Sequence, residues 1–87
     1  MEDKIDIITE LESITELLYQ ENVQSAYHKL AQVIPKMDVM LNDINDEGTR
    51  AILVEKLSIA LEAMENEDYT FLADTIQYEL IDTLKEL

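Results

Sequence analysis

Apolar residues along this chain recur every three or four positions in four segments that are separated by polar breaks. In the last segment they fall at Tyr69, Leu72, Ile76, Leu80, Leu84 and Leu87. Such steps place side chains on one stripe of an α-helix, whereas a strand would show strict alternation. We therefore expect the segment after Asp68 to be an amphipathic helix, with Asn66 or Asp68 as its N-cap.

The segment before that break predicts helix three, from Arg50 to Glu65. The break itself is only the polar run 65–68, and so short a connection makes the two helices an antiparallel αα-hairpin. Helix three has two apolar flanks beside its main stripe: Ile52, Ile59 and Ala63 on one, and Val54 and Leu61 on the other. This is more apolar surface than one partner needs, so we expect helix three to be the most buried helix or else part of an interface.

The first half of the chain has the same organisation. Helix one runs from Glu2 to Glu21, and its stripe is Ile7, Leu11, Ile14 and Leu18. Helix two follows the N-cap Asn22 and contains Pro35, which removes a backbone hydrogen bond and either bends the helix or divides it in two. The apolar phase does not change across Pro35, which favours a bend. The residues 42–49, NDINDEGT, predict the main loop.

When the first half of the sequence is shifted by 46 residues, its apolar stripe aligns with that of the second half. Leu11 then falls on Leu57, and Asn22 falls on Asp68. At 87 residues the chain is long enough for one core. The sequence therefore predicts a single all-α domain over residues 1–87: a four-helix antiparallel up-and-down bundle built from two αα-hairpins, with helix two kinked at Pro35.

Composition limits the partners that this bundle can have. Twenty acidic residues against six basic residues give a net charge of −14, and residues 2–21 and 66–87 carry −6 and −5 of it. Such a surface repels nucleic acid and anionic lipid, so we expect neither as a partner. The acidic excess serves solubility alone, or it favours a basic partner or an amphipathic helix. An acidic N-terminus and the lack of an 18-residue apolar run predict a cytoplasmic protein.

The candidate metal ligands of this chain do not have the spacing that known calcium and di-iron sites require. The loop from Asp43 has the first ligands of a calcium loop, but the closing position 12 is Val54 instead of Glu. A di-iron bundle needs Glu-x-x-His pairs, and the only histidine, His28, follows Ser25 at that spacing. The chain has no cysteine for thiolate sites and a single glycine. We therefore expect no metal site, no cofactor and no small-molecule substrate.

Two aromatic residues of the last helix suggest a contact surface. Phe71 and Tyr78 are seven positions apart, beside the main stripe, with Thr75 between them. Aromatic side chains provide large contact areas at interfaces. Together with Ile59 and Leu61 of helix three, they form the predicted partner-binding set; the alternative is that helix one or helix three covers this flank.

The segment from Ala60 to Leu80, ALEAMENEDYTFLADTIQYEL, resembles one that recurs in small acidic helical proteins of clostridia-like Gram-positive bacteria, some of them motility-linked. The likeness rests on 63–65 (AME), 68–69 (DY), 72–74 (LAD) and 78–80 (YEL), and it implies no activity. In size, charge and helicity the chain is also similar to flagellar export chaperones. That resemblance implies binding of an apolar helical segment of a client protein.

The first functional hypothesis is therefore a non-catalytic interaction module, a small chaperone or adaptor, that binds a partner helix or itself as a homodimer. An acidic rim would favour basic clients. The alternative is a small enzyme or ligand-binding bundle that uses a buried carboxylate with a raised pKa beside a cavity.

Overall fold

The computed structural model describes residues 2–87, which form four helices joined by short turns. The helices are α1 (Glu2–Tyr19), α2 (Val23–Asp43), α3 (Glu47–Glu65) and α4 (residues 69–85). This part of the chain contains no strand. α1 packs closely against both α2 and α4, and α3 packs against α4 but approaches α2 in few places. The predicted all-α four-helix bundle is confirmed.

The two hairpins turn through the same hydrogen bonds. After α1 the N–H of Asn22 donates to the carbonyl oxygen of Leu17 at 2.8 Å, and after α3 the N–H of Asp68 donates to that of Ala63 at 2.9 Å. Each is the six-residue closure that commonly ends a helix. The two turns lie 46 residues apart, which is the offset that aligns the two apolar stripes.

Each turn places a glutamate in the left-handed backbone region. Glu21 has φ 64° and Glu67 has φ 57°. Glycine is the usual residue here, because a Cβ crowds the following carbonyl oxygen. The single glycine of the chain, Gly48, lies elsewhere, in the first turn of α3. Both hairpin turns therefore carry a conformational cost that the bundle has to offset.

The core is built mainly by α1, α2 and α4. Ile7, Leu11, Ile14 and Leu18 of α1 are all buried, as the stripe predicts. α2 and α4 contribute a larger buried apolar set: Ala26, Leu30, Val33, Met37, Met40, Leu41, Leu72, Ala73, Ile76, Leu80, Ile81 and Leu84. Burial of these aliphatic side chains is the principal stabilising term of the fold.

α3 is the least buried helix, so the expectation that it is the most buried was wrong. Ten of its residues are apolar, but only Leu53, Ala60 and Ala63 are buried. The reason is the sparse contact between α2 and α3. Apolar side chains on the flanks of α3 therefore meet solvent where a closer neighbour would have covered them.

α3 is held at both of its ends by polar contacts. Asp46 is its N-cap, and the carboxylate accepts from the backbone N–H of Gly48 and from the hydroxyl of Thr49. The guanidinium of Arg50 donates to the carbonyl oxygen of Ile44 at 2.7 Å. The helix thus begins at Glu47 and not at Arg50 as predicted, because this cap organises the loop residues into a first helical turn.

The other end of α3 is held by α2. The hydroxyl of Tyr27 donates to the carbonyl oxygen of Met64 at 3.0 Å, and burial raises the pKa of Tyr27. The ring of Tyr27 also meets that of Tyr69 edge to face, with centroids 6.0 Å apart. This aromatic contact joins α2 to the start of α4.

α2 continues unbroken through Pro35, so the alternative of two shorter helices was wrong. Pro35 is exposed, and the buried residues Val33 and Met37 flank it on the core side. The ring thus faces away from the core. Within residues 2–87, no helix has the length and apolar character that a membrane span requires.

α4 changes its winding in the middle. It is α-helical over Tyr69–Asp74, π-helical over Thr75–Ile81 and α-helical again over Asp82–Lys85. Leu72, Ile76, Leu80 and Leu84 are separated by three steps of four, which at about 100° per residue would drift by about 120° around a regular helix. A π-helical turn holds more residues and cancels the drift. All four leucine and isoleucine side chains therefore face the core.

Candidate functional site

A groove runs between α3 and α4, and we refer to it as the α3–α4 groove. Its volume is about 420 Å³. α3 contributes Ile52, Glu55, Lys56 and Ile59, and α4 contributes Phe71, Thr75 and Glu79.

Exposed apolar side chains form much of the groove surface. Ile52, Ile59 and Phe71 are 48%, 37% and 49% exposed. Each isoleucine directly precedes a buried residue, Leu53 or Ala60, so it lies at the edge of the face that α3 turns to the core. A cluster of apolar side chains of this kind on a surface is typical of a protein-binding site.

Charged groups form the rim of the same groove. The ammonium of Lys56 contacts the carboxylate of Glu79 and so links α3 to α4. Glu55 is exposed on the α3 side, and the buried Thr75 lies on the α4 side. The groove therefore offers apolar contact together with acidic oxygens and one cation, which suits an amphipathic helix.

Phe71 and Ile59 of the predicted partner-binding set lie together in this groove. Tyr78 does not: it is 61% exposed and lies between α1 and α4. The prediction that Phe71 and Tyr78 share a flank was wrong, because it assumed regular winding between them. The π-helical turn begins in that interval and turns Tyr78 away from Phe71, so that it lines the groove between α1 and α4.

Leu61 is the other predicted residue outside the groove. It follows Ile59 by two positions, which is about 200° around the helix axis, and it is half-buried. Ile52, on the other hand, belongs to the groove and was missing from the predicted set. Its spacing of seven from Ile59 was the available signal. The contact between Lys56 and Glu79 has no sequence signal, because it depends on how α3 and α4 are aligned.

A second groove lies between α1 and α4, with a volume of about 650 Å³. It is larger but more acidic, with Glu12, Glu16 and Asp82 among its lining residues and Lys85 3.9 Å from Glu12. The exposed carboxylates repel one another there. We take the smaller α3–α4 groove as the candidate site, because it gathers three exposed apolar side chains from two helices.

Tyr19 is one of the residues that line this second groove. The hydroxyl of Tyr19 donates to the carboxylate of Asp74 at 2.8 Å. This hydrogen bond to an acidic group raises the pKa of Tyr19, because ionisation would set two negative charges side by side. The contact ties α1, the most acidic helix of the bundle, to α4.

Residues that could hold a metal ion do not come together in the part of the chain that the structure describes. No group of three or more histidine, aspartate or glutamate side chains forms a metal site there. In the loop that begins at Asp43, the carboxylate of Asp46 serves as the cap of α3, and its hydrogen bonds lower the pKa of Asp46. His28 is exposed, with Gln32 beside it at 3.3 Å.

The interior offers no buried carboxylate among residues 4–87. The buried polar side chains in this range are Thr15 and Thr75. The hydroxyl of Thr15 donates to the carbonyl oxygen of Leu11, one turn earlier in α1, at 3.0 Å. The enzyme alternative relied on a buried acid, so the described interior gives it no specific residue.

A model of the family described as Domain of unknown function (DUF8042) matches residues 5–87. The chain belongs to the DUF8042 family. The match covers nearly all of α1 and the whole of α2, α3 and α4, so the DUF8042 domain includes both walls of the α3–α4 groove. No curated protein and no solved structure matches the chain.

Proposed function

We propose that this chain is a non-catalytic protein-interaction module of the cytoplasm, a small adaptor or chaperone, that binds a helix in the α3–α4 groove. The observation that carries the proposal is the exposure of Ile52, Ile59 and Phe71 along one groove. A helix with apolar residues three, four and seven positions apart would bury these side chains.

The charge of the chain favours a helix with basic residues beside its apolar stripe. Glu55 and Glu79 stand at the groove, and the whole chain carries −14. Opposite charges speed the encounter and fix the orientation, whereas apolar contact at the centre supplies most of the affinity. The bound helix comes from a partner protein or from another copy of this chain.

The test uses a synthetic helical peptide with leucine at the stripe positions and lysine elsewhere, and a second peptide with glutamate in place of lysine. Each is added to isotope-labelled protein at low concentration, and NMR chemical shifts are mapped. We expect the lysine peptide to shift the signals of Ile52, Ile59 and Phe71. We expect the glutamate peptide to bind more weakly, because it meets the acidic rim.

Two matched variants separate groove binding from attraction to net charge. Ile59→Asp and Val39→Asp both place one new carboxylate on an exposed apolar position, but only Ile59 lies in the groove. Ile59→Asp should abolish the shifts, and Val39→Asp should preserve them. Peptide binding that survives Ile59→Asp, or shifts spread over the acidic faces of α1 and α4, would contradict the proposal.

A further inference from the structure

We infer that the helix bound in the α3–α4 groove is α3 of a second copy of this chain, packed antiparallel about a two-fold axis. The inference rests on the proposed function and names its partner. It follows from the charge and apolar pattern that α3 presents to the groove, from the distribution of net charge, and from the small residues beside the groove.

The α3 side of the groove is complementary to itself. It presents Ile52, Glu55, Lys56 and Ile59. When a second α3 runs in the opposite direction about an axis between Glu55 and Lys56, Ile52 of each copy faces Ile59 of the other. Glu55 of each copy likewise faces Lys56 of the other. A two-fold interface requires this reciprocity, in which each contact occurs twice.

Lys56 can serve both copies at once. In the single chain its ammonium already contacts Glu79, yet the group has three N–H donors. In the pair, one donor keeps Glu79 while another reaches Glu55 of the second copy. The cation then neutralises two carboxylates that would otherwise repel each other across the interface.

Net charge and exposed apolar surface together favour α3 for self-association. Two copies that each carry −14 repel each other, so the contact forms most readily where the local charge is lowest. α1 carries −5, α3 and α4 carry −2 each, and α2 carries no net charge. α2, however, exposes one large apolar side chain, Val39, whereas α3 exposes Ile52, Val54 and Ile59. Pairing through α1 would bring the most acidic helices of both copies together, and pairing through α2 would bury little exposed apolar surface.

Small side chains allow two α3 helices to approach closely. Ala51 and Ser58 are both exposed, and each directly precedes an isoleucine of the groove. The distance between packed helix axes depends on the side chains at the contact. Ile52, Ile59 and the neighbouring Phe71 then supply the apolar area that the small residues leave accessible.

Charge-reversal variants test this pairing by analytical ultracentrifugation over a concentration series. We expect the wild-type chain to form a dimer of twice 10.1 kDa. Glu55→Lys and Lys56→Glu should each weaken the dimer about tenfold, because each sets like charges opposite each other twice. An equal mixture of the two variants should restore a heterodimer, because every lysine then faces a glutamate.

Glu16→Lys, an equal charge change on α1, is the control and should leave the dimer intact. Circular dichroism and thermal unfolding verify that each variant folds. A wild-type chain that stays monomeric, or a mixture that associates no better than its components, would overturn the inference. Monomers whose groove still binds the lysine peptide would leave the proposed function standing, whereas a monomer that binds no peptide would remove both.

Discussion

α1 and α3 open the two hairpins of the bundle and end in the same turn, but they use their apolar residues differently. α1 buries its stripe between α2 and α4 and carries most of its charge outward. α3 carries little net charge, buries only Leu53, Ala60 and Ala63, and leaves Ile52, Val54 and Ile59 exposed. Equivalent positions in the fold thus differ in burial: α1 contributes its apolar stripe to the core, whereas α3 leaves apolar side chains at the surface, where we propose that a partner binds.

The way in which each helix is held supports this division. α1 is fixed by burial along its length, whereas α3 buries three residues against the bundle and is also held by polar contacts at its two ends and by the contact between Lys56 and Glu79. Contacts of that kind fix position and contribute little stability when they are exposed. α3 is therefore held without the use of its outer surface, which stays exposed to solvent.

The largest expected difference is between single-residue deletions in α1 and in α4, which rotate part of the apolar stripe around the helix axis. Deletion of Glu12 from α1 rotates the buried stripe by about 100° on one side of the deletion and should unfold the chain. Deletion of Gln77 from the π-helical turn of α4 changes the spacing of the buried residues from four, four and four to four, three and four. α4 should then become a regular helix and the bundle should persist. Circular dichroism and cooperative thermal unfolding distinguish the two outcomes.

A truncation on each helix compares burial directly. Leu11→Ala removes a fully buried side chain from α1 and should lower the free energy of unfolding by about 2–5 kcal/mol. Leu61→Ala on α3 removes a half-buried side chain and should cost about 1 kcal/mol. Urea denaturation measures both. Equal losses would mean that α3 is as much a part of the core as α1.

Because both hairpin turns hold a glutamate in the left-handed backbone region, we expect the same substitution to stabilise the chain at either turn. Glu21→Gly after α1 and Glu67→Gly after α3 each relieve a left-handed glutamate, at the expense of a more flexible unfolded chain. We expect both to raise the free energy of unfolding by about 0.5–1 kcal/mol. A gain at one position only would show that the two turns are not equivalent despite their common hydrogen bonds.

The smallest effect concerns the cap of α3 and depends on pH. Hydrogen bonds from Thr49 and Gly48 lower the pKa of Asp46, so its carboxylate stabilises the fold above the unfolded value of 3.8. This contribution is lost as the pH falls through the lower pKa of the folded state. Asp46→Ala should therefore lower the melting temperature at neutral pH, and the difference from wild type should shrink in acid. A difference that does not depend on pH would count against the cap.

The sequence stripes predicted the four helices and the α1 core correctly, because steps of three and four report one helix face directly. They could not predict the exposure of Ile52 and Ile59, since this depends on how α4 packs against α3. Tyr78 was misplaced for a local reason: three successive steps of four signalled altered winding, but a regular helix was assumed. The association of Lys56 with Glu79 depends on the alignment of two helices and leaves no pattern along the chain.

The central claim is that the exposed isoleucines of α3 contribute to binding and not to folding. The most direct test is the free energy of urea unfolding of the double variant Ile52→Gln and Ile59→Gln, at a concentration where the chain is monomeric. We predict a value within about 1 kcal/mol of wild type, about 0.5 kcal/mol for each of two ordinary surface substitutions. A loss of about 2 kcal/mol or more, the size expected of a core truncation, would contradict it.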